Sequence, residues 1–400
     1  MKNKFGNNFK PRGFVSPKFE RVRTEFINNF TNRGELGAAC AVYFDGEMVV
    51  DLWGGIRDAK SGDDWKEDTL VHVFSTTKGI AALTVAAAVS RGLFSYADKI
   101  AGYWPEFAQN GKENITIREL MSFQSGLCYI DQKLDENDIA DLDGLARLLA
   151  RQKPAWKPGD YHGYHLFTAD WCAGELIRRR DSKKRSLGRY FQEEIAGPLG
   201  LEFYIGTPDG IPDSRFAVIK DFMPLEMLLH LRSMPWGMVS GFLLPWSLIM
   251  RVMTNVKFKS SAHMGLPPYR RLEIPGGNGI GQVRALAKLY GVFANGGKDL
   301  GLSRKTLEVL EGPCQAPRRG MKDKVFKTEM SYSLGFLKPF RLYQYSPSPK
   351  AFGCGGTGGS HAFADPDARI GFAYAPNKLG FYMFNDPRER ALREAVYKCI

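Results

Sequence analysis

Two β-hairpin patterns at opposite ends of the chain restrict its fold more than any other feature of the sequence. Residues 38–55 contain AACAVYF and MVVDLWGG around an Asp-Gly turn, and residues 361–377 contain HAFAD and RIGFAYAPN around Pro-Asp-Ala. Such runs predict paired antiparallel strands. Helices are predicted around residues 16–31 and from about Pro387, and the stretch between the hairpins looks mainly helical. This order predicts one antiparallel sheet built from both termini, with flanking helices and an inserted helical lobe.

The length of the chain supports one large folded unit. Its 400 residues are 44% hydrophobic, which is enough to fill the core of a two-lobed domain. We predict a flexible basic tail over residues 1–13 and a single domain over residues 14–400. Its sheet lobe would comprise about residues 14–70 and 330–400, and its helical lobe about residues 71–329.

The positive charge of the chain does not indicate a nucleic-acid site. The chain carries 55 Lys and Arg against 43 Asp and Glu, a formal net charge of +12. The densest clusters, RRRDSKKR (178–185) and PRRGMKDK (317–324), stand beside Gly, Ser or Pro and contain no aromatic residues. Single-stranded nucleic-acid sites combine cations with stacking aromatics, so both clusters are predicted to be solvated loops and no nucleic-acid partner is expected.

Cysteine usage and hydropathy argue against several other classes. The six cysteines are scattered without a CxxC pair or a Cys/His cluster, so we predict neither a metal site nor a disulfide framework. A reducing, cytoplasmic compartment is the expectation, although the basic N-terminal MKNKFGNNFKPRGF leaves a mitochondrial location open. SMPWGMVSGFLLPWSLIM (233–250) approaches the length of a membrane span, but its prolines and glycines favour a non-spanning segment. No transmembrane segment is therefore predicted.

A serine and a lysine open the most uniformly apolar helix pattern of the chain. HVFSTTKGIAALTVAAAV (72–89) places Ser75 three residues before Lys78, a spacing that no other serine shares, and Gly92 ends the run. Positions i and i+3 lie on one helix face, so the lysine amine could reach the serine hydroxyl. A lysine whose pKa is lowered by burial and cationic neighbours can take a serine's proton, and a helix N-terminus can stabilise the resulting oxyanion. The alternative is a capping serine beside a surface lysine.

An ordered series of motifs resembles the serine β-lactamase and penicillin-binding-protein superfamily. It includes FSTTKG, TIRELMSFQSGL (116–127), KPGDYHGYHLFTADWCAGEL (157–176) and FGCGGTGGSHAFADP (352–366). The chain is most similar to the class C-type branch, which includes the family VIII carboxylesterases and the animal β-lactamase-like proteins. The resemblance covers nearly the whole chain and implies an α/β (α+β) sandwich of the β-lactamase type, in agreement with the sheet and inserted lobe predicted above.

This resemblance implies a catalytic role for three side chains. Ser75 matches the acylated serine, Lys78 its paired base and Tyr164 the family's tyrosine. Tyr161 is the rival for the last position, but the glycine before Tyr164 and its spacing to Trp171 favour Tyr164. A tyrosine beside a lysine ammonium can hold its proton loosely and relay it to a leaving group.

The glycine-rich strand near the C-terminus holds the main departure from the family. Relatives carry Lys-Thr-Gly, or often His-x-Gly, where this chain has Cys354, Gly355 and Gly356. The glycines would let the backbone approach a substrate, and the N–H groups of Thr357 and Ser75 would form the oxyanion hole. Loss of the cation implies weak recognition of a substrate carboxylate. A leucine also occupies the asparagine position of the family's Tyr-x-Asn element.

A segment rich in Met, Leu and Trp is the candidate acyl pocket. Residues 224–250 pack these side chains between helix-breaking residues, and Trp236 and Trp246 are predicted to contact the substrate. Such surfaces adapt to varied apolar shapes. An ordinary contribution to the core is the alternative.

These features predict a serine hydrolase that acts through an acyl-enzyme, an esterase or amidase on small uncharged acyl substrates. No metal or organic cofactor is implied. One alternative is a catalytically weak or inactive protein of the same fold that serves as an assembly or binding module. Another is β-lactamase or D-peptidase activity. Whether the protein forms a homo-oligomer is left open.

Overall fold

A computed structural model describes Phe5, residues 9–222 and residues 236–400 of the chain. The strands are Arg12–Val15 (β1), Gly37–Phe44 (β2), Glu47–Gly55 (β3), Val71–His72 (β4), Phe203–Ile205 (β5), Gly279–Gly281 (β6), Tyr332–Ser333 (β7), Phe336–Leu337 (β8), Phe352–Gly355 (β9), His361–Asp365 (β10) and Ile370–Pro376 (β11). Eight of them form one sheet in the order β1-β3-β2-β11-β10-β9-β8-β7. The N-terminal β2 pairs antiparallel with the C-terminal β11 at its centre. The predicted sheet built from both termini is thus confirmed.

The β2–β3 hairpin turns at the predicted Asp-Gly pair. Asp45 and Gly46 have φ values of 54° and 85°, which lie in the left-handed region that a tight hairpin turn requires. Aspartate tolerates this conformation better than most residues, and glycine adopts it without steric cost. The sequence therefore specifies this turn locally.

A second sheet lies within the part of the chain that was predicted to be mainly helical. It has three short antiparallel strands in the order β4-β6-β5, and β6 joins the other two. The strand β4 leads directly into the turn that carries Ser75. This sheet was not predicted. Its pairing holds β4 in place, and β4 positions the start of the Ser75 turn.

Helices cover the main sheet and build the inserted lobe. The α-helices are Glu20–Asn32, Thr77–Ser90, Ile117–Met121, Glu136–Ala140, Leu142–Arg151, Thr168–Arg180, Leu187–Phe191, Gly197–Leu199, Trp236–Phe242, Leu248–Met253, Val283–Ala294, Arg304–Glu311 and Pro387–Tyr397. The first and last of these pack against each other, and Val283–Ala294 packs on β2, β10 and β11. The predicted terminal helices are therefore both present.

The helix Thr77–Ser90 is the central buried helix that its sequence predicts. Every residue from 77 to 88 is buried. A Cβ atom on Gly79 would collide with the hydroxyl of Tyr290, so only glycine fits there. The helix begins two residues after Ser75 and not at it, because Ser75 belongs to a preceding 3₁₀ turn.

The predicted flexible tail over residues 1–13 is wrong for its last residues. Residues 12 and 13 already belong to β1, which pairs with β3. The ring of Phe9 stacks on Phe30 with their centroids 4.0 Å apart, and the ring of Phe5 packs edge-on to Phe30. Burial of these aromatic rings holds the segment against the fold. Residues 1–4 and 6–8 lie outside the described part of the chain.

The long uncharged segment does not form one continuous helix. From residue 236 onward it consists of two helices, Trp236–Phe242 and Leu248–Met253, and residues 233–235 are not among the described ones. None of the helices that the structure describes combines the length and apolarity needed to cross a membrane.

Candidate active site

Ser75 lies at the floor of a cleft, in the 3₁₀ turn Phe74–Thr76 between β4 and the buried helix Thr77–Ser90. Phe74 has φ of 49°, a left-handed conformation that is uncommon for a bulky residue. Such backbone strain clusters at functional sites, where the surrounding structure holds it in place. The turn leaves the Ser75 side chain half-buried at the cleft.

The hydroxyl of Ser75 is hydrogen-bonded to the hydroxyl of Tyr164, with the two oxygens 2.7 Å apart. The Tyr164 ring stacks on Phe326 at a centroid distance of 4.8 Å. Burial raises the pKa of Tyr164, while the charge of Lys78 and the hydrogen bond to Ser75 act in the opposite direction. Tyr161 instead lies beside the cations of Lys324 and Arg319, and it does not belong to the cleft lining that the structure describes.

The ammonium group of Lys78 is enclosed by oxygen atoms. It donates hydrogen bonds to the carbonyl oxygens of Leu166 and of Gly276, the latter at 2.7 Å. It also pairs with the carboxylate of Asp170 at 3.2 Å, where the side chains are only 3% and 1% exposed. The three hydrogens of the ammonium group therefore have partners other than the hydroxyl of Ser75.

The structure does not meet the condition under which Lys78 could act as a base, a pKa lowered by burial and cationic neighbours. Burial alone would lower it, but the nearby carboxylate of Asp170 and the oxygen of Tyr164 outweigh burial, so the pKa is raised. Lys78 is consequently an ammonium at neutral pH, and its charge lies 5.2 Å from the centroid of the Tyr164 ring. This charge stabilises the ionised form of Tyr164, although burial keeps the Tyr164 pKa above its ordinary value.

Sequence reasoning missed Asp170. The residue lies in the first turn of the helix Thr168–Arg180, among buried neighbours. The available signal was a single carboxylate within the apolar stretch HLFTADWCA, two positions before a cysteine. A buried carboxylate needs a partner, and only the fold shows that Lys78 is that partner.

The glycine-rich strand lies along one side of the cleft. The residues from Cys354 to Ser360 all belong to the lining. The Gly356 N–H donates to the Ser360 carbonyl at 2.8 Å, and a Cβ on Gly356 would collide with the carbonyl oxygen of Val73 beside the Ser75 turn. Gly356 therefore allows the close approach of the strand to the turn. Thr357, the next residue, is exposed at the cleft.

Cys354 contributes a buried thiol at this strand. The residue is 4% exposed, and its sulfur donates to the Gly335 carbonyl at 3.3 Å. Burial raises the pKa of the thiol to about 12. The thiol is thus neutral at physiological pH, and no positive charge replaces the family's lysine or histidine at this position.

The cleft encloses about 390 Å³ and is lined mainly by apolar and aromatic side chains. These include Phe123, Phe222, Met238, Phe242, Met253, Phe326 and Met330.

The structure corrects the prediction that Trp236 and Trp246 contact the substrate. Both are outside the described lining, with exposed fractions of 77% and 76%. The same segment reaches the cleft through Met238 and Phe242, on the opposite side of its helix. Residues 224–235 lie outside the described part of the chain.

Every charged side chain in the described lining has an ionic partner. Lys78 pairs with Asp170, while Asp386 and Glu389 pair with the buried Arg388 and Arg393 at 2.8 and 2.7 Å. The cleft thus presents no unpaired cation among the residues that the structure describes. In the same part of the chain, no group of three or more His, Cys, Asp and Glu side chains could hold a metal ion.

Asp323 supports the loop on which Tyr164 rests. Its carboxylate is fully buried and accepts the backbone N–H groups of Val325 and Phe326 at 2.7 and 2.6 Å and the hydroxyl of Tyr332 at 3.0 Å. The backbone N–H of Tyr164 also donates to it. Sequence reasoning missed this residue because it stands in the cationic run MKDK, which suggested a solvated loop.

We expect Asp323→Asn to change how stability depends on pH. Burial raises the Asp323 pKa to about 6, although its hydrogen-bond donors act in the opposite direction. In the unfolded chain this carboxyl titrates near pH 4. Between these values the folded state binds more protons, so the contribution of Asp323 to stability falls by about 3 kcal/mol as pH rises from about 4 to 6. The free energy of unfolding of both proteins should be measured by urea denaturation across this range. Parallel curves for wild type and variant would contradict this assignment.

Comparisons with known proteins agree with this geometry. The Beta-lactamase family profile matches residues 24–397. The chain is 31% identical over 376 residues to the esterase/beta-lactamase LipL of Mycobacterium tuberculosis, covering 92% of this chain and 83% of LipL. The fold matches a crystal structure of a family VIII carboxylesterase with a TM-score of 0.85 at 36% identity, over 98% of this chain and 100% of the other. A penicillin-binding protein homologue from Caulobacter crescentus gives a TM-score of 0.83 at 34% identity, with the same coverage.

Proposed function

This chain belongs to the beta-lactamase family, and on that premise we propose that it is a serine hydrolase that cleaves uncharged carboxylic esters through an acyl-enzyme. The observation that carries the proposal is the 2.7 Å hydrogen bond between Ser75 and Tyr164 at the floor of an apolar cleft. Covalent catalysis needs a nucleophile in contact with a base, and a third group that orients the base or stabilises its charged form. The esterase names of LipL and of the carboxylesterase structure support the same reaction.

In the proposed cycle, Ser75 is the nucleophile and Tyr164 is the base. Burial holds the pKa of Tyr164 above its ordinary value, so the reactive form is the minor fraction in which the phenol has released its proton to solvent and the charge of Lys78 stabilises the phenolate. As the Ser75 oxygen attacks the ester carbonyl, its proton passes to Tyr164. When the bond to the alcohol breaks, Tyr164 returns that proton to the departing oxygen. Water then attacks the acyl-Ser75 carbonyl and gives a proton to Tyr164, and Ser75 regains this proton as the carboxylic acid leaves. Lys78 remains an ammonium throughout and stabilises the ionised tyrosine.

We assign the oxyanion hole to backbone N–H groups of Ser75 and Thr357. Both residues line the cleft, on the Ser75 turn and at the end of the glycine-rich strand. Two such donors aimed at the developing oxyanion lower the barrier most when the site excludes water. The apolar lining provides that environment.

Hydrolysis of p-nitrophenyl butyrate and labelling by a fluorophosphonate probe test this function together. The wild-type protein is expected to hydrolyse the ester and to carry the label on Ser75, whereas Ser75→Ala is expected to do neither. A protein that serves only as an assembly module would give neither signal in its wild-type form.

We also propose that the protein works in a reducing compartment such as the cytoplasm. Its six free cysteines support this proposal.

We expect a cation at position 354 to shift selectivity towards anionic substrates. The cleft has no unpaired cation among its described residues, so a substrate carboxylate lacks a charge-assisted hydrogen bond worth roughly 1.5–3 kcal/mol. Cys354→Lys should raise the ratio of kcat/KM for nitrocefin to that for p-nitrophenyl butyrate by about ten- to hundredfold. Cys354→Met, of similar length but uncharged, is the control and should leave the ratio within about twofold. An equal ratio in both variants would show that position 354 does not set charge selectivity.

A further inference from the structure

A short segment at the cleft exposes large apolar side chains to solvent. It comprises the helix Trp236–Phe242 and the turn that follows, and we call residues 236–247 the rim hairpin. Its exposed side chains are Trp236 (77%), Leu243 (77%), Leu244 (44%) and Trp246 (76%). The other five tryptophans of the chain are buried or half-buried. Exposed tryptophan and leucine concentrated on one segment mark a binding surface more often than a neutral part of the exterior.

The opposite side of the rim hairpin is anchored in the fold. Met238 and Phe242 line the cleft. Gly241 is buried so closely against Ile249 that an added Cβ would lie 2.6 Å from the Ile249 side chain. The exposed apolar side chains thus belong to a segment whose other side chains pack in the fold and line the cleft.

The rim hairpin and the residues that follow it in sequence carry cations but no acidic residue. Residues 236–272 contain no Asp or Glu, and their cations are Arg251, Lys257, Lys259, Arg270 and Arg271. Lys257 and Lys259 are exposed. A further exposed lysine, Lys327, packs against Gly237 at the start of the hairpin. In the fold, Arg251, Arg270 and Arg271 are paired with Asp131, Asp213 and Asp209. Lys327 therefore supplies an exposed cation in contact with the segment, and Lys257 and Lys259 supply two more a little further along the chain.

We propose that the rim hairpin docks the protein on an anionic phospholipid surface. Trp236, Leu243 and Trp246 enter the boundary between headgroups and acyl chains, where the amphipathic indole ring is favoured. Lys257, Lys259 and Lys327 lie against the lipid phosphates. Docking of this surface brings the cleft to the lipid, so esters with apolar acyl chains are its substrate class. This last step rests on the proposed hydrolase function, whereas docking itself does not.

Charge favours a lipid surface over a second copy of the chain as the occupant. In a twofold-symmetric dimer, each rim hairpin would meet the same patch on its partner. The exposed Lys257, Lys259 and Lys327 of both copies would then be gathered at one interface. Like charges facing each other across an interface cost free energy, whereas anionic headgroups neutralise them.

Vesicle binding by the Ser75→Ala protein tests the docking without turnover of lipid. This protein should co-sediment with vesicles of equal parts phosphatidylcholine and phosphatidylserine, and its tryptophan emission should shift to shorter wavelength. Vesicles of phosphatidylcholine alone and high salt should each weaken binding. Adding Trp236→Ser and Trp246→Ser should lower affinity for the mixed vesicles by about tenfold or more.

A matched control separates this surface from general apolar exposure. Phe14 is 50% exposed on the edge strand β1, and Phe14→Ser in the same background should leave vesicle affinity unchanged. The proposal is overturned if the protein does not bind mixed vesicles, or if the tryptophan replacements leave binding unchanged. It is also overturned if the protein self-associates without vesicles and those replacements abolish the association. Because no arm uses catalysis, a failure here leaves the hydrolase proposal intact, and loss of ester hydrolysis would leave the docking result intact.

Discussion

Replacing Ser75 by alanine is expected to lower kcat/KM for p-nitrophenyl butyrate by at least about a thousandfold. The acyl-enzyme needs the Ser75 oxygen, which lies 2.7 Å from the hydroxyl of Tyr164. Tyr164→Phe removes the proposed base and should approach the same residual rate, as should Lys78→Ala, which removes the charge that stabilises the ionised tyrosine. Residues that act as one unit do not contribute additively, so the double variant Ser75→Ala with Tyr164→Phe should be no slower than Ser75→Ala alone.

Tyr161 provides the matched control for this experiment. It lies three residues before Tyr164, and its ring contacts Lys324 at 4.3 Å from the centroid. Tyr161→Phe keeps the ring and should retain most of the activity, since its hydroxyl is not in contact with Ser75. Thermal unfolding of each variant shows whether a lost activity reflects a lost fold. If Tyr161→Phe is the inactive variant, the assignment of Tyr164 as the base is wrong.

The main sheet could be predicted because its hairpins are specified by local sequence. The Asp45-Gly46 turn and its two flanking strands form one continuous pattern, and β10 and β11 form another. The second sheet could not be predicted in this way. Its strands have two or three residues each, and β4, β5 and β6 come from distant parts of the chain. No periodicity is readable in segments this short, so their pairing depends on tertiary contacts.

The candidate site was only partly accessible to sequence reasoning. The motif order pointed to Ser75 and Tyr164, whose hydroxyls the structure brings into contact. The raised pKa of Lys78 could not be predicted because it depends on Asp170, which lies 92 positions later and meets Lys78 only in the fold. Trp236 and Trp246 were expected in the cleft because their segment is rich in Met, Leu and Trp, and such surfaces adapt to varied apolar ligands. Their exposure is instead the observation on which the lipid-docking proposal depends.

The buried pair of Lys78 and Asp170 leads to the largest expected effect on stability. Asp170→Asn removes a negative charge that is 3.2 Å from the ammonium nitrogen, and both side chains are almost fully buried. Lys78 would keep its carbonyl partners but would be a buried charge without a counterion. Breaking one side of a buried ion pair costs about 3–5 kcal/mol. We expect a loss of this size in the free energy of unfolding at pH 7, measured by urea denaturation.

The pH dependence of that loss identifies its cause. In the wild type the Lys78 pKa is raised above its unfolded value, so its contribution to stability is fully present below about pH 10 and is lost only above that. In Asp170→Asn, burial without a counterion lowers the folded-state pKa, so the folded state releases a proton that the unfolded chain retains. Its stability should therefore rise between about pH 7 and 10, and the deficit relative to wild type should shrink. Adding Lys78→Met should recover much of the stability at pH 7, because no charge is then buried. A deficit that is constant with pH, or a double variant no more stable than Asp170→Asn, would mean that Asp170 stabilises the fold by packing and not by pairing with the Lys78 ammonium.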